Sequence, residues 1–82
     1  MKNFYALGLK KIENMDFKSS VILFSKSIKQ NPYHIYSYLY RGLSYIELKE
    51  FKKAVEDLSF VLKNDPDNEE AKSNLELAKN KL

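Results

Sequence analysis

The two glycines and the two prolines of this 82-residue chain are each separated by the same interval. The distance along the chain from Gly8 to Gly42 equals that from Pro32 to Pro66, and we call this interval the period. Because these two residue types set the backbone geometry of turns and close contacts, a shared spacing indicates a duplicated structural unit. Identical residues recur at the same period elsewhere: Leu9 with Leu43, Ile12 with Ile46, Phe17 with Phe51, and Val21 with Val55.

Apolar residues recur at helical spacing within each unit, which predicts two helices per unit. In the first unit, Phe4, Leu7 and Gly8 mark one face of a helix from about Asn3 to Asn14. The second helix of that unit and both helices of the next unit have the same pattern. The residues that mark one face of each of these three helices are, in order, Phe17, Val21, Phe24 and Ile28; Tyr38, Gly42 and Tyr45; and Phe51, Ala54, Val55, Leu58, Val61 and Leu62.

The bends between helices have no glycine. Asp16 and Glu50 lie in the bends within the units, and these turns are expected to use either ordinary backbone conformations or a left-handed residue such as Asn14. The segments Asn31–Pro32 and Asp65–Pro66 are expected to close the two units. Proline disfavours helix in the residue before it and has no amide donor.

The last fourteen residues predict a fifth helix with one narrow apolar stripe. Asp67 or Asn68 is the expected N-cap, and two glutamates complement the helix dipole in the first turn. A helix that is apolar on one side and charged on the other is suited to cap a repeat array. The stripe consists of Ala71, Leu75, Ala78 and Leu82.

Both units resemble the tetratricopeptide repeat, a helix-turn-helix of about 34 residues. The resemblance covers residues 1–34 and 35–68 as two repeats, and residues 69–82 as the extra helix that commonly ends such arrays. It implies an all-α fold, an α-solenoid of antiparallel helix pairs with a fifth, capping helix. The residues that carry it are Phe4, Leu7, Gly8, Ser20, Phe24, Ser27 and Pro32, then Tyr38, Gly42, Tyr45, Ala54, Leu58, Val61 and Pro66.

The resemblance also implies a function, the binding of another protein in a concave groove lined by the first helix of each repeat. A scaffold or adaptor role follows from such binding. Large apolar and aromatic side chains on this surface fit a contact site. Transferred to this chain, the protein-binding or peptide-binding positions are Lys2, Tyr5, Leu9, Ile12, Tyr36, Leu39, Tyr40, Leu43 and Leu77.

The same positions predict the chemistry of the ligand. A subclass of the family grips the carboxylate end of heat-shock chaperones with lysine, asparagine and arginine, whereas here the corresponding places hold Tyr5, Leu9, Tyr40, Glu70 and Asn74. We therefore expect an apolar or aromatic ligand, either an extended peptide or an amphipathic helix. A structural alternative is that the aliphatic members of the set pack on one another across neighbouring helices.

Self-association is a second functional hypothesis. Two repeats and one further helix are fewer than the three repeats usually needed to bury a continuous core, so a second copy could cover the groove or an end face and form a homodimer. Ile22 and Phe60 favour this alternative, because both fall at outer-helix positions where polar residues are usual.

An enzyme is the third class considered, and the residues argue against it. His34 is the sole histidine and lies beside a bend, cysteine is absent, and no phosphate-binding glycine loop or metal-ligand spacing occurs. Glu56 and Asp57 are expected to form a solvated helix face rather than a paired site. We predict no catalytic residue, no cofactor and no metal.

The charge distribution and the lack of long apolar runs bear on nucleic-acid binding, membrane insertion and location in the cell. Residues 1–34 carry six lysines against Glu13 and Asp16, a net charge of +4, while residues 35–68 have a net charge of −1. Without an arginine cluster or a groove-reading motif, the lysines indicate a solvated surface, so nucleic-acid binding is not expected. No segment is long and apolar enough for a membrane span or a secretory leader, and a cytoplasmic location is expected.

Overall fold

Five α-helices make up the fold. The computed structural model describes residues 2–82, and the all-helical prediction with packed helix pairs is confirmed. Short loops connect consecutive helices, which therefore run antiparallel. The helices are α1 (Phe4–Glu13), α2 (Phe17–Gln30), α3 (Ile35–Glu47), α4 (Phe51–Asn64) and α5 (Glu69–Asn80).

Side-chain caps begin three of the helices. The side-chain oxygens of Asn3, Asp16 and Asn68 each accept a hydrogen bond from the amide three residues later, at 3.0, 3.2 and 2.8 Å. Of the two N-caps predicted for α5, Asn68 is the one observed. His34 and Glu50 precede α3 and α4, and at these two helices the described part of the chain supplies no side-chain cap. Such a cap typically stabilises a helix by about 1 kcal/mol.

A left-handed residue follows α1 and α3 at equivalent positions. Met15 has φ 57° and Lys49 has φ 61°. The expectation that Asn14 takes this conformation is wrong, because Asn14 has φ −87° and continues the direction of the helix. The chain reverses one residue later, where a methionine accepts a conformation that glycine or asparagine adopts more easily.

Hydrogen bonds show why this position must be left-handed. The amide of Met15 donates to the carbonyl of Ile12, and that of Asp16 donates to the carbonyl of Lys11, both at 2.8 Å. The same two bonds recur one period later, after α3. This pair of bonds is the Schellman motif, which satisfies carbonyl groups that a helix end leaves free.

Helix α3 lies at the centre of the molecule. Each helix packs on the next, and α3 additionally contacts both α1 and α5. The three first-of-pair helices α1, α3 and α5 therefore share one side of the layer. The largest fully buried apolar side chains are Phe24, Leu58 and Val61, and the core cluster extends through Leu39 and Ala71 to α5.

The two glycines lie where helices within a unit approach most closely. A methyl group on Gly8 would lie 2.6 Å from Cε1 of the buried Phe24 ring, and one on Gly42 would lie 3.0 Å from Leu58. Both distances are shorter than normal van der Waals contacts, so a methyl group at Gly8 would overlap the Phe24 ring and one at Gly42 would require Leu58 to shift. Their equal spacing in the sequence thus corresponds to the same crossing in both helix pairs.

Buried serine pairs hold α2 against α3. The Oγ atoms of Ser20 and Ser44 are 2.7 Å apart, and those of Ser27 and Ser37 are 2.8 Å apart. On each helix the serine of one pair lies seven residues from the serine of the other pair. Hydroxyl groups therefore join α2 to α3 at two successive levels of their antiparallel packing. The positions one period later are all apolar and buried in the α4–α5 crossing: Ala54, Val61, Ala71 and Ala78.

Arg41 joins α3 to both of its neighbours, to α4 through an ion pair and to α2 through a hydrogen bond. The guanidinium of Arg41 donates two hydrogen bonds of 2.8 Å to the Asp57 carboxylate and one of 3.0 Å to Ser25 Oγ. The prediction of a solvated Asp57 is wrong, because this side chain is buried between α3 and α4. Burial raises the pKa of Asp57, the two bonds from Arg41 oppose that rise, and the same bonds raise the pKa of Arg41.

Helix α5 buries part of its predicted stripe. Ala71 and Ala78 are fully buried, and Leu75 packs against the core. Leu82, the fourth member, was expected to continue the stripe, but it lies after the end of α5 and is largely exposed. The helical period therefore no longer determines the direction of its side chain.

Candidate functional site

The side of the molecule shared by α1, α3 and α5 forms the candidate site, which we call the concave face. This side arises because the first helices of successive units contact each other through α3, while α2 and α4 pack behind them. It carries an aromatic cluster toward the beginning of α1 and α3, and a cleft toward the end of α1 and the beginning of α5.

Tyr5 is the centre of the aromatic cluster. Its ring lies edge-on to His34, with centroids 4.7 Å apart, and 6.2 Å from the Tyr40 ring. Burial raises the pKa of the Tyr5 phenol, and the nearby phenols of Tyr40 and Tyr36 raise it further. Three phenol groups therefore lie close enough to interact, which gives this end of the concave face an apolar surface with several hydroxyl groups.

His34 belongs to this cluster through packing and through one hydrogen bond. Its Nδ1 lies 2.7 Å from Ser37 Oγ, which is itself bonded to Ser27. A histidine beside a serine hydroxyl resembles part of a nucleophilic dyad. Ser37 is completely buried, however, so its hydroxyl is inaccessible to a substrate and the contact is structural.

The cleft has a volume of about 340 Å³, at the lower end of the range of ~300–1,000 Å³ that ligand clefts usually span. Its interior is apolar and aromatic. Carboxylates from α3 and α5 and one side-chain amide lie among the lining residues. These residues are Ile12, Phe17, Tyr40, Leu43, Ser44, Ile46, Glu47, Glu70 and Asn74.

The predicted site residues divide by exposure. Tyr36 is 54% exposed and Leu77 is 43% exposed, and Lys2 is also exposed. Five of the other predicted residues are half-buried, which leaves part of each side chain open to a ligand. Three of them meet in the cleft, and Tyr5 meets Tyr40 in the aromatic cluster. The half-buried residues are Tyr5, Leu9, Ile12, Tyr40 and Leu43.

Leu39 is the predicted groove residue that the structure places elsewhere. It is only 2% exposed and belongs to the core cluster with Leu58 and Val61. Its position follows from the central place of α3, which is covered by other helices on most of its circumference. Leu39 therefore offers a partner almost no surface and is not part of the candidate site.

The structure also places the two outer-helix residues singled out for self-association. Ile22 is 57% exposed on α2. Phe60 is not exposed in the same way, because its ring packs on Tyr38 with centroids 4.1 Å apart. Of these two residues, Ile22 is therefore the exposed one.

Within residues 2–82, no three His, Cys, Asp or Glu side chains lie together in a way that could hold a metal ion. None of the helices in that range has the length and apolar character needed to cross a membrane.

A short stretch of a much longer enzyme is similar to this chain. The chain is 37% identical over 68 residues to a UDP-N-acetylglucosamine–peptide N-acetylglucosaminyltransferase of Giardia intestinalis. The matched stretch covers 83% of this chain but only 5% of that enzyme. Its length is twice the period. No protein-family model matches the chain.

The relative, the period and the five packed helices together fit a helical repeat of the tetratricopeptide type. The small share of the transferase that is matched relates the chain to one part of that enzyme rather than to the whole protein.

Proposed function

We propose that this chain is a protein-interaction module that binds an apolar or aromatic segment of another protein on its concave face. The ligand is an extended peptide or an amphipathic helix, and the role is that of a scaffold or adaptor. The observation that carries the proposal is the cleft, in which Ile12, Tyr40 and Leu43 from two helices remain partly open beside exposed Tyr36. Contiguous apolar surface of this kind generally marks a contact site.

Two properties of the site support an apolar ligand rather than a carboxylate-terminated tail. The family positions that would hold a basic clamp carry Tyr5, Leu9 and Tyr40, and the side chains contributed by α5 are Glu70 and Asn74. Tyrosine fits a binding role because it buries apolar area while its hydroxyl keeps a hydrogen bond. We propose no catalytic activity, cofactor or nucleic-acid ligand for the module.

Helix α5 is assigned a capping role. Its buried alanines, Ala71 and Ala78, pack on α4, while exposed Lys72, Glu76 and Lys79 cover its other side with charge. A repeat array needs such a polar outer face at its end to remain soluble.

The test of the groove compares side chains that are exposed on the concave face with matched ones elsewhere. We expect the Tyr36→Ala/Leu77→Ala double variant to capture less partner protein from a cell lysate than the parent chain. The control is Tyr33→Ala/Ile22→Ala, which removes a tyrosine that is 82% exposed in the α2–α3 loop and an exposed residue of α2. Equal capture by the parent and both variants would contradict the proposal.

Tyr5 and Tyr40 are less suitable for this test. Their rings pack on the buried Phe24, with centroid distances of 6.0 and 6.3 Å, so removing them disturbs the core as well as the groove. Circular dichroism of Tyr36→Ala/Leu77→Ala should match that of the parent, because both side chains are well exposed.

Homodimerisation is the alternative function, and exposed Ile22 is the observation that favours it. Sedimentation across a concentration series tests it directly. A concentration-dependent dimer that Ile22→Ser abolishes would support the alternative, and a monomer at every concentration would exclude it.

A further inference from the structure

We infer that the ligand of the cleft carries a lysine or arginine beside its apolar side chain, and that Glu47 and Glu70 receive this cation. The inference rests on the proposed peptide-binding function and specifies the chemistry of the partner. It departs from the purely apolar ligand expected from the sequence. The starting point is that both glutamates line the cleft, one on α3 and the other on α5.

The charge of the cleft is opposite to that of the chain. The protein has a formal net charge of +3. Among the described residues that line the cleft, however, there are two glutamates and neither a lysine nor an arginine. A local acidic surface on a basic protein favours basic partners and repels acidic ones.

Neither carboxylate is engaged inside the part of the molecule that the structure describes. Within residues 2–82 the ion pairs are Arg41–Asp57 and Lys53–Glu50, which leave Glu47 and Glu70 open to a cation from outside. Both side chains are exposed. An external cation can therefore pair with them without displacing an existing ion pair.

The cleft also offers further acceptors in suitable places. Glu70 lies in the first turn of α5, and the side chain of Asn74 lies one turn later on the same helix. The side-chain amide nitrogen of Asn74 donates to the Glu70 carbonyl at 2.8 Å, so the side-chain oxygen of Asn74 is the atom available to a donor. Two carboxylates and an amide oxygen are matched by the several N–H donors of a guanidinium or ammonium group.

The apolar part of the cleft explains why a basic residue alone is not the preferred ligand. Ile12, Tyr40 and Leu43 provide surface for an aliphatic or aromatic side chain, and burying it gives most of the affinity. The rim carboxylates mainly add selectivity and faster association. The expected motif is thus an apolar residue with lysine or arginine within the next few residues.

A random-peptide display library provides a probe that does not require a known partner. The parent chain should select peptides with an apolar or aromatic residue near a lysine or arginine. One selected peptide and the same peptide with its basic residue replaced by glutamine are then compared by fluorescence anisotropy. At low ionic strength the basic peptide should bind at least about fivefold more tightly, and added salt should reduce the difference.

Charge variants assign the effect to the rim. In Glu47→Gln/Glu70→Gln the two peptides should bind about equally, whereas Glu56→Gln/Glu76→Gln, which removes the same charge away from the cleft, should keep the parent's preference. All four glutamates are exposed, so these variants should fold. In Glu47→Lys/Glu70→Lys the preference should reverse toward a peptide with glutamate in place of the basic residue.

Two outcomes would overturn the inference, and they differ in what they imply for the groove. In the first outcome, apolar peptides bind the parent with no preference for a basic residue and lose affinity in Tyr36→Ala/Leu77→Ala. This result would refute the role of the glutamates and leave the proposed function intact. Selection of no peptide whose binding depends on the concave face would refute both.

Discussion

The hydroxyl pair of Ser20 and Ser44 gives a quantitative prediction about how α2 and α3 are held together. Both side chains are completely buried, and their oxygens are 2.7 Å apart. Ser20 Oγ also lies 2.8 Å from the carbonyl oxygen of Phe17. Ser20 Oγ is the donor in both contacts and shares its one proton between Ser44 Oγ and the Phe17 carbonyl, whereas Ser44 Oγ bonds to Ser20 alone within residues 2–82. The two serines are therefore not equivalent.

Single substitutions should differ because of this asymmetry. Ser44→Ala leaves Ser20 its bond to Phe17, and we expect the free energy of unfolding to fall by about 1 kcal/mol. Ser20→Ala leaves the buried Ser44 hydroxyl without its partner, and the expected loss is larger, about 1–3 kcal/mol. The double substitution removes both polar groups. Its loss should be smaller than the sum of the single losses by about 1 kcal/mol or more.

The molecule contains its own precedent for the double variant. The residues one period later are Ala54 and Ala78, both completely buried in the α4–α5 crossing. An alanine pair is thus already accommodated at the equivalent place.

Urea unfolding followed by far-ultraviolet circular dichroism measures the four stabilities of this double-mutant cycle. Ser59→Ala, which changes an exposed serine of α4, is the control and should alter stability by no more than ~0.5 kcal/mol. Single losses that add to the double loss within ~0.5 kcal/mol would show that the hydroxyls are not coupled, and would refute the reasoning.

Three further predictions concern the backbone and the caps. Lys49→Gly should raise the free energy of unfolding by about 0.5–1 kcal/mol in urea titration, because glycine relieves the left-handed conformation; a loss would contradict this. Gly8→Ala should lower the melting temperature through a loss of about 1 kcal/mol or more, since its methyl group would meet Phe24 at 2.6 Å and helix propensity offsets only part of the overlap. Hydrogen bonding to Ser19 lowers the pKa of Asp16, so its contribution to stability is present above the unfolded pKa of about 3.9 and is lost as pH falls through the folded value. Acid titration of Asp16→Asn should show a weaker loss of stability in this window, and an unchanged acid profile would argue against the cap.

The sequence alone determined the elements of the fold. Spacing between apolar residues, the repeated prolines and the polar residues before the helices are local signals. They predicted five helices, Asp67 or Asn68 as the N-cap of the last one, and the close approach at Gly8 and Gly42. The concave face followed from the family resemblance. The partly open tyrosines of the candidate site were among the residues that it indicated.

Tertiary structure decided which polar and apolar residues are buried. A helical period gives the faces of a helix but not how many of them are covered, and the central α3 is covered on most sides, which buries Leu39. Asp57 has the sequence pattern of a surface residue, and only the approach of Arg41 from another helix makes its burial possible. That Glu47 and Glu70 line one cleft depends likewise on how α3 and α5 pack, because the proximity of residues distant in sequence is set by packing rather than by local preference.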